Sequence, residues 1–395
     1  MRILLLGVST RAPAESAVGD GQDIVAVDYF GDRDQMRVVE THALQRDLHL
    51  PLTAEGLGQA AKLMRADAVA YSANLENHPE VVEELERERV LLGNGHDVLR
   101  EVRDWGTLRE FCREAGIPHP VTLLPGEEGR ALPGEMGRAF PGGRWLSKPV
   151  RSGGGHGIRP WGGEPLDQSH ILQAEVKGRA ASVAFVANGR DSRVFGLTEQ
   201  LVGRGEFGAS GFTWSGNILP LDLALRDGGL LLRRIEEMVA RLTRRFGLRG
   251  VNGADLIVGT EPSGALCPYL VEVNPRYSAS MELAERAYGI RVFSLHLEGL
   301  AGRLPEISLG GRLHEGFVGK AIVYAKHAVT VGCTDEWMEQ GIRDVPLSGQ
   351  RIEAGHPVCT VFAEGHDKQG CLDGLVLRAA ARYRVIEHER EKCYG

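Results

Sequence analysis

The sequence predicts a multidomain protein of α/β and α+β class. It divides into a small doubly wound domain at 1–98, a central region at 99–308 and a small C-terminal β/α module, rich in β, at 309–395. Three observations carry this reading. Apolar strand-like runs alternate with helical stretches over 1–98, the pattern of a parallel sheet covered by helices. Asn188-Gly189 joins two further strand-like runs, as an antiparallel hairpin requires. At 395 residues, with 43% apolar and 25% charged side chains, the chain has material for two or three packed cores.

In the first domain, residues 2–7 read as a buried strand ended by Gly7 and the Ser9-Thr10 pair, and 12–18 as a short helix. Strands follow at 24–28 and 68–71, with a helix near 55–65 between them. Residues 79–90 form a charged amphipathic helix with Pro79 in its first turn, and 91–93 a fourth short strand. Asp28 ends the second strand where dinucleotide folds hold a ribose hydroxyl. No GxGxxG accompanies it, so a solvated helix cap is the preferred reading.

In the central region a helix spans 97–115 and Gly116 ends it. Residues 117–120 enter a strand, and Pro/Gly-rich loops at 125–143 surround a short helix. Trp145 to Val150 is a strand carrying Lys148, followed by the loop Ser152-Gly153-Gly154-Gly155-His156-Gly157. Backbone N–H groups of such a loop can wrap phosphate oxygens while the lysine supplies a cation. It is not a Walker A loop, because the lysine precedes the glycines. The bland alternative is a flexible hairpin with a surface lysine.

Residues 171–178 read as a strand running into a bend, and 182–187 and 194–198 as the hairpin strands. In the helix 230–246, Leu231, Ile235, Met238, Val239, Leu242 and Phe246 recur at helical spacing, with Gly247 at its end. Strands at 253–258 and 269–274 flank a turn, and helices follow at 280–288 and 292–301. Beyond 308, short strands at 318–325, 350–352 and 358–363 precede a helix at 367–382.

The chemistry concentrates in Glu272-Val273-Asn274-Pro275-Arg276. Strand alternation puts Glu272 and Asn274 on one face and Val271 and Val273 on the other. Pairing with strand 253–258 brings Asp255 to them. The three offer oxygen ligands only, which suits Mg²⁺ (or Mn²⁺) rather than zinc. Arg276 stands at the strand end, where a fixed cation can meet phosphate or a developing oxyanion.

A net charge of −7 argues against a general nucleic-acid grip. Six cysteines without CxxC spacing argue against a zinc site or disulfide framework and fit free thiols in a reducing cytoplasm. No stretch has the roughly 18 consecutive apolar residues of a membrane span. The apolar run after Met1 is too short for a secretory leader.

This order of parts resembles the ATP-grasp superfamily: an α/β lead domain, a lysine strand with a glycine loop, an antiparallel sheet and a closing Asp…Glu-x-Asn set. Gly7-Val8-Ser9-Thr10-Arg11, Glu76-Asn77-His78-Pro79-Glu80, the loop at 147–158 and residues 272–280 resemble its predicted ATP-dependent carboligases related to biotin carboxylase. The resemblance implies that Lys148 contacts ATP phosphates and that Ser152 to Gly157 close over them. It implies that Gln173, Glu175 and Val176 form the adenine hinge, that Asp255, Glu272 and Asn274 bind magnesium, and that Arg276 steadies an acyl phosphate and a tetrahedral intermediate. Two positions depart from the family. Trp105 stands where many members carry a lysine, with Arg100 or Arg103 the candidate substitute, and Ala180 stands where a ribose-holding acid is common, leaving Gln200 as a candidate.

The implied activity is a carboxylate–amine ligase. ATP activates a small-molecule carboxylate as an acyl phosphate and an amine, for example an amino acid, attacks it, releasing ADP and phosphate. A bicarbonate-using carboxylase and a nucleotide-binding protein without ligase activity are the alternatives. Related architectures are often homodimers. Tyr277, Ser278 and Ser280 are candidates to line the acceptor pocket, Ser280 equally a helix cap. His78, His156 and His296 are candidate bases, each more in keeping with a structural or loop role.

Overall fold

The computed structural model describes residues 1–127, 143–223, 229–261, 263–307 and 316–394. The loops and short helix expected at 125–143 lie, beyond residue 127, outside the described residues.

The chain opens with β1 (Arg2–Leu6), β2 (Asp23–Asp28), β3 (Glu40–Ala43), β4 (Ala68–Tyr71) and β5 (Val90–Leu91), joined in a parallel sheet of order β3-β2-β1-β4-β5. β1, β2 and β4 are buried along nearly their whole length, as strands with helices on both faces must be. β3 has no apolar run to announce it; it forms because Val25 to Asp28 offer it a ladder. The carboxyl edge of such a sheet is where ligand crevices open. Here that edge carries Ser9 to Arg11 after β1 and Ser72 to His78 after β4.

Asp28 is neither a solvated cap nor free for a ribose. It is fully buried and accepts from the Thr10 N–H at 3.0 Å, the Thr10 hydroxyl at 2.9 Å, Phe30 N–H at 3.0 Å and Gly31 N–H at 2.7 Å. These donors satisfy a buried carboxylate and tie the β1 and β2 turns together.

The single helix expected at 97–115 is two, His96–Val102 and Trp105–Ala115. Asp104 breaks it, because its side chain accepts from the Thr107 N–H at 2.7 Å and starts the second helix as an N-cap. Gly116 ends that helix in the left-handed region, at φ 62°.

Next comes a four-stranded sheet of β6 (Thr122–Leu123), β7 (Trp145–Pro149), β8 (Arg159–Pro160) and β9 (His170–Ala174), in the order β6-β9-β7-β8. The second large sheet is wholly antiparallel: β10 (Arg179–Asn188), β11 (Ser192–Val202), β12 (Trp214–Leu219), β13 (Arg249–Thr260), β14 (Leu266–Asn274), β15 (Phe317–Tyr324) and β18 (Pro357–Gly365), in the order β14-β13-β10-β11-β12-β15-β18. Short strands β16 (Val329–Thr330) and β17 (Arg351–Ile352) pair separately. The strands expected at 318–325 and 358–363 thus extend this sheet past β12, whereas the one expected at 350–352 is β17, outside it.

Helix Leu230–Phe246 covers one face, burying the predicted Leu231, Ile235, Met238, Val239, Leu242 and Phe246 against Val183, Phe185, Ala254 and Val273. Truncating one of these to Ala costs about 2–5 kcal/mol. Helices Met281–Tyr288 and Val292–Leu300 cover part of the opposite face around Ala184, Val186 and Phe195. Helix Lys368–Tyr394, longer than expected, seals the β15–β18 end through Cys371, Leu375 and Ala379.

Candidate functional site

The site forms on the sheet face opposite helix Leu230–Phe246, where β13 and β14 pair. Their register sets Asp255 opposite Glu272 and Gly253 opposite Asn274. The ladder slips between Asp255 and Leu256, so Val271 has no partner and is only half-buried, whereas Val273 is in the core as expected. Asn274 Nδ2 donates to Asp255 Oδ2 at 3.1 Å. Gln200 Nε2, from β11, donates to Asp255 Oδ1 at 2.8 Å, which engages it at the carboxylates rather than a ribose.

Two acids side by side cannot both ionise freely. Burial, then the Glu272 charge, pushes the Asp255 carboxyl up to about 7. Burial also works against Glu272, but Arg103 and Lys148 outweigh it and hold that carboxyl below its usual range.

Lys148 reaches the same place from β7 and is buried. Its Nζ donates to Gln173 Oε1 at 3.1 Å and lies 5.0 Å from the Trp105 ring centre, a cation–π contact. Burial lowers its proton affinity while Glu272 raises it. Trp105, the residue that departs from the family pattern, therefore packs beneath the lysine and contributes no charge.

Arg103 supplies a cation at the carboxylates. Its Nη1 donates to Val273 O at 2.8 Å and lies 3.7 Å from Glu272 Oε2. Its Nε and Nη2 both donate to Asn77 Oδ1, at 3.0 and 2.6 Å. Arg100 points elsewhere, pairing with Glu83 on the surface at 2.5 Å. Arg276 is held by Glu76, whose Oε1 accepts from its Nε at 2.9 Å and Nη2 at 2.7 Å. Burial works against the Arg276 charge, and Glu76, with Asp255 and Glu272, more than offsets it, so the guanidinium stays protonated.

The glycine loop lies against the turn before β12. Gly154 O accepts from Trp214 N–H at 2.9 Å. Gly155 adopts φ +76°, and a Cβ there would stand 1.8 Å from Phe212 O, so only glycine fits. Ser152 Oγ donates to His156 O at 3.2 Å; Gly153, Gly157 and His156 are exposed. Gln173 is buried on β9, its Nε2 donating to Thr122 Oγ1 at 3.2 Å, whereas Glu175 is clamped by Arg144 through two 2.7 Å bonds. Val176 follows, half-buried, in the link to β10.

The other candidates separate. His296 is structural: its Nδ1 accepts from Val251 N–H at 3.0 Å, its Nε2 contacts Leu92 O at 3.0 Å, and burial lowers its proton affinity. The His78 Nδ1 lies 3.5 Å from Glu80 and 3.8 Å from Glu55, and its Nε2 lies 3.5 Å from the Asn74 amide nitrogen. Ser280 makes no side-chain cap; its hydroxyl lies 3.3 Å from that of Ser278. The Tyr277 hydroxyl donates to Glu285 at 3.4 Å.

Sequence reasoning named Arg103 only as one of two substitutes and saw Glu76 and Asn77 only as parts of a resemblance. Their roles depend on the β4 edge meeting the end of β14, a contact between residues some 200 positions apart (Arg276 to Glu76).

Comparison with known proteins agrees with this architecture. Residues 108–280 match the family of the ATP-grasp domain, and the chain carries that domain. No curated protein sequence matches the chain. Among solved structures, it is similar to the biotin carboxylase domain of Hydrogenobacter thermophilus 2-oxoglutarate carboxylase, in complex with MgADP, ADP and bicarbonate, at 14% identity and a TM-score of 0.68 over 94% of this chain and 88% of that one. It is similar to Campylobacter jejuni biotin carboxylase at 13% identity and a TM-score of 0.66, over 98% and 91%. Carboxyaminoimidazole ribonucleotide synthase of Aspergillus clavatus, complexed with ATP, matches at 14% identity and a TM-score of 0.68, over 96% and 98%. The fold of the whole chain is therefore the ATP-grasp fold, with a parallel lead sheet and antiparallel sheets after it.

Proposed function

We propose that the protein is an ATP-dependent ligase that joins a carboxylate to an amine through an acyl phosphate. One observation carries the reading: Asp255, Glu272 and Asn274 converge on one sheet face within electrostatic reach of buried Lys148 and of Arg276. Two carboxyls that compete for one proton at neutral pH are a pair that a divalent cation would relieve. The donor set is oxygen-only, so it fits Mg²⁺ or Mn²⁺. Asp255, Glu272 and Asn274 would hold the ion, which when bound neutralises charge on the nucleotide phosphates.

The chain's own groups do the remaining work. Lys148 meets the phosphates of ATP, and the loop from Ser152 to Gly157 covers them and excludes water. Gln173, Glu175 and Val176 form the adenine hinge. A substrate carboxylate oxygen attacks the γ-phosphorus and ADP leaves. The amine then attacks the acyl carbon, loses a proton, and phosphate departs, leaving an amide. Arg276, fixed by Glu76, faces the oxyanion of the tetrahedral intermediate. The substrates are small molecules, and the compartment we propose is the cytoplasm, consistent with the absence of a helix long and apolar enough to cross a membrane among the described residues.

Calorimetric titration with Mg·ATP, then ADP release in the presence of pooled acids and amines, tests this. ADP release that needs both an acid and an amine is the expected result. No ATP binding at millimolar concentration overturns the reading. Bicarbonate-dependent release without an amine makes the protein a carboxylase, and binding without acid-dependent release makes it a nucleotide-binding protein.

A further inference from the structure

The segment Glu76-Asn77-His78-Pro79-Glu80 leaves β4 at the carboxyl edge of the parallel sheet and meets two separate parts of the candidate site. Its centre is Asn77, 4% exposed. The Asn77 carbonyl oxygen accepts both Nε and Nη2 of Arg103. That grip leaves only Nη1 of the guanidinium, which is turned to Val273 O and to Glu272 Oε2. The Asn77 amide nitrogen donates to Ser152 O, in the glycine loop, at 3.4 Å, and to Asn74 Oδ1. The neighbouring loop residue is held by the same segment: Arg151 Nη1 donates to Glu80 Oε1 at 2.8 Å.

A primary amide suits this place because it can accept from an arginine and donate to a carbonyl at once. A carboxylate can only accept, and a leucine can do neither. The side chain nearest in shape that keeps one half of the function is therefore Asp, and the one that removes both is Leu.

We infer that Asn77 is a positioning residue that couples the seat of the glycine loop to the orientation of Arg103 at Glu272. The inference rests on the metal and loop assignments proposed above. Arg103 steadies the ionised Glu272 from the side, and Asn77 ensures that the loop settles where that arginine is already in place. Residues that orient a ligating group commonly change metal affinity by 10–100-fold when removed.

The test uses the full chain, with Mg·ADP as probe. ADP affinity is measured by calorimetry with Mg²⁺ and with EDTA, and loop seating by tryptic cleavage after Arg151 with and without Mg·ADP. Asn77→Leu is expected to reduce the Mg²⁺-dependent gain in ADP affinity by about tenfold, with ADP affinity in EDTA unchanged, and to abolish protection at Arg151. Asn77→Asp keeps the grip on Arg103, so it is expected to retain most of the Mg²⁺-dependent gain and lose the protection. Glu80→Gln, which weakens the Arg151 and His78 contacts and leaves the Asn77 bonds in place, keeps the test open should either Asn77 variant fail to fold; it is expected to reduce protection and leave the gain intact. Folded Asn77 variants, or a Glu80→Gln protein, that match the wild type in both readouts overturn the proposal. Wild-type protein that binds no Mg·ADP overturns the site assignment itself, and this inference with it.

Discussion

Two clusters of buried charge in this molecule look alike by composition and differ in balance. Around Arg11 the carboxylates find partners inside the protein: Glu282 bonds Arg11 at 2.6 Å and Lys320 at 2.7 Å, Asp344 bonds Arg11 at 2.8 Å, and Asp34, which burial and then Asp344 push up to about 6, lies 3.6 Å from Arg11 and accepts from the Asp344 and Val345 N–H groups at 2.9 Å. Burial opposes the Glu282 charge, but Arg11 and Lys320 hold it well below its usual range. Around Asp255 the balance fails. Arg103, Lys148 and Arg276 suffice to keep Glu272 ionised, yet Asp255 still rises to about 7. A closed cluster is a joint between elements distant in sequence, here the start of the first helix, helix Met281–Tyr288, β15 and residue 344. An open one can take up a further positive charge, as we propose for Asp255 and Glu272.

Breaking each cluster should therefore give opposite outcomes. The largest effect is expected in nucleotide binding: Glu272→Gln should abolish the Mg²⁺-dependent part of ADP affinity, read by calorimetry, while the far-ultraviolet circular dichroism stays that of the wild type. An unchanged Mg²⁺ dependence refutes the metal assignment. Arg11→Met takes the cation from Asp344 and from buried Asp34 and leaves Glu282 to Lys320 and Arg286, so it should lower unfolding stability by about 3–5 kcal/mol in a denaturant titration. The protein that remains folded should bind Mg·ADP as before.

A pH series sharpens the contrast. The folded pKa of Asp255 is raised above its unfolded value, so the folded state holds this proton more tightly. Metal binding must displace that proton, so Mg²⁺ affinity should be full above pH 7 and fall by up to about tenfold per pH unit below it. Asp255→Asn should weaken Mg²⁺ binding and flatten the profile. The same group works against stability as pH rises from the unfolded value toward 7, and adds no further change above it. The smallest effect is expected from Arg100→Met, whose partners Glu83 and Asp97 lie in solvent that screens them, so neither unfolding stability nor Mg·ADP affinity should move measurably. Arg103→Met should reduce the Mg²⁺-dependent gain, which separates the two arginines that sequence alone left as equals.

Most of the architecture was legible because period and punctuation are local. The parallel strands β1, β2 and β4 announce themselves as apolar runs, and helix Leu230–Phe246 by its seven-residue spacing of buried side chains between two glycines. β3 was invisible because Glu40-Thr41-His42-Ala43 has no strand pattern and is a strand only by pairing. The break at Asp104 has a local signal: Asp directly before the amphipathic run that starts at Trp105 is a good N-cap, although the helical period runs on across it.

The amino-acid sequence by itself determined the carboxylates and the amide at the centre of the candidate site. Glu272 and Asn274 share a face because strand alternation is a property of the backbone, and Asp255 joins them because a short turn returns β14 beside β13. Tertiary structure decided what those groups are worth. Whether Asp28 is solvated or buried, whether Gln200 meets a ribose or Asp255, and which arginine faces Glu272 all depend on contacts across long sequence separations. Charge energetics depend on burial and on distances of a few ångströms, and neither quantity is written in the order of residues along a chain.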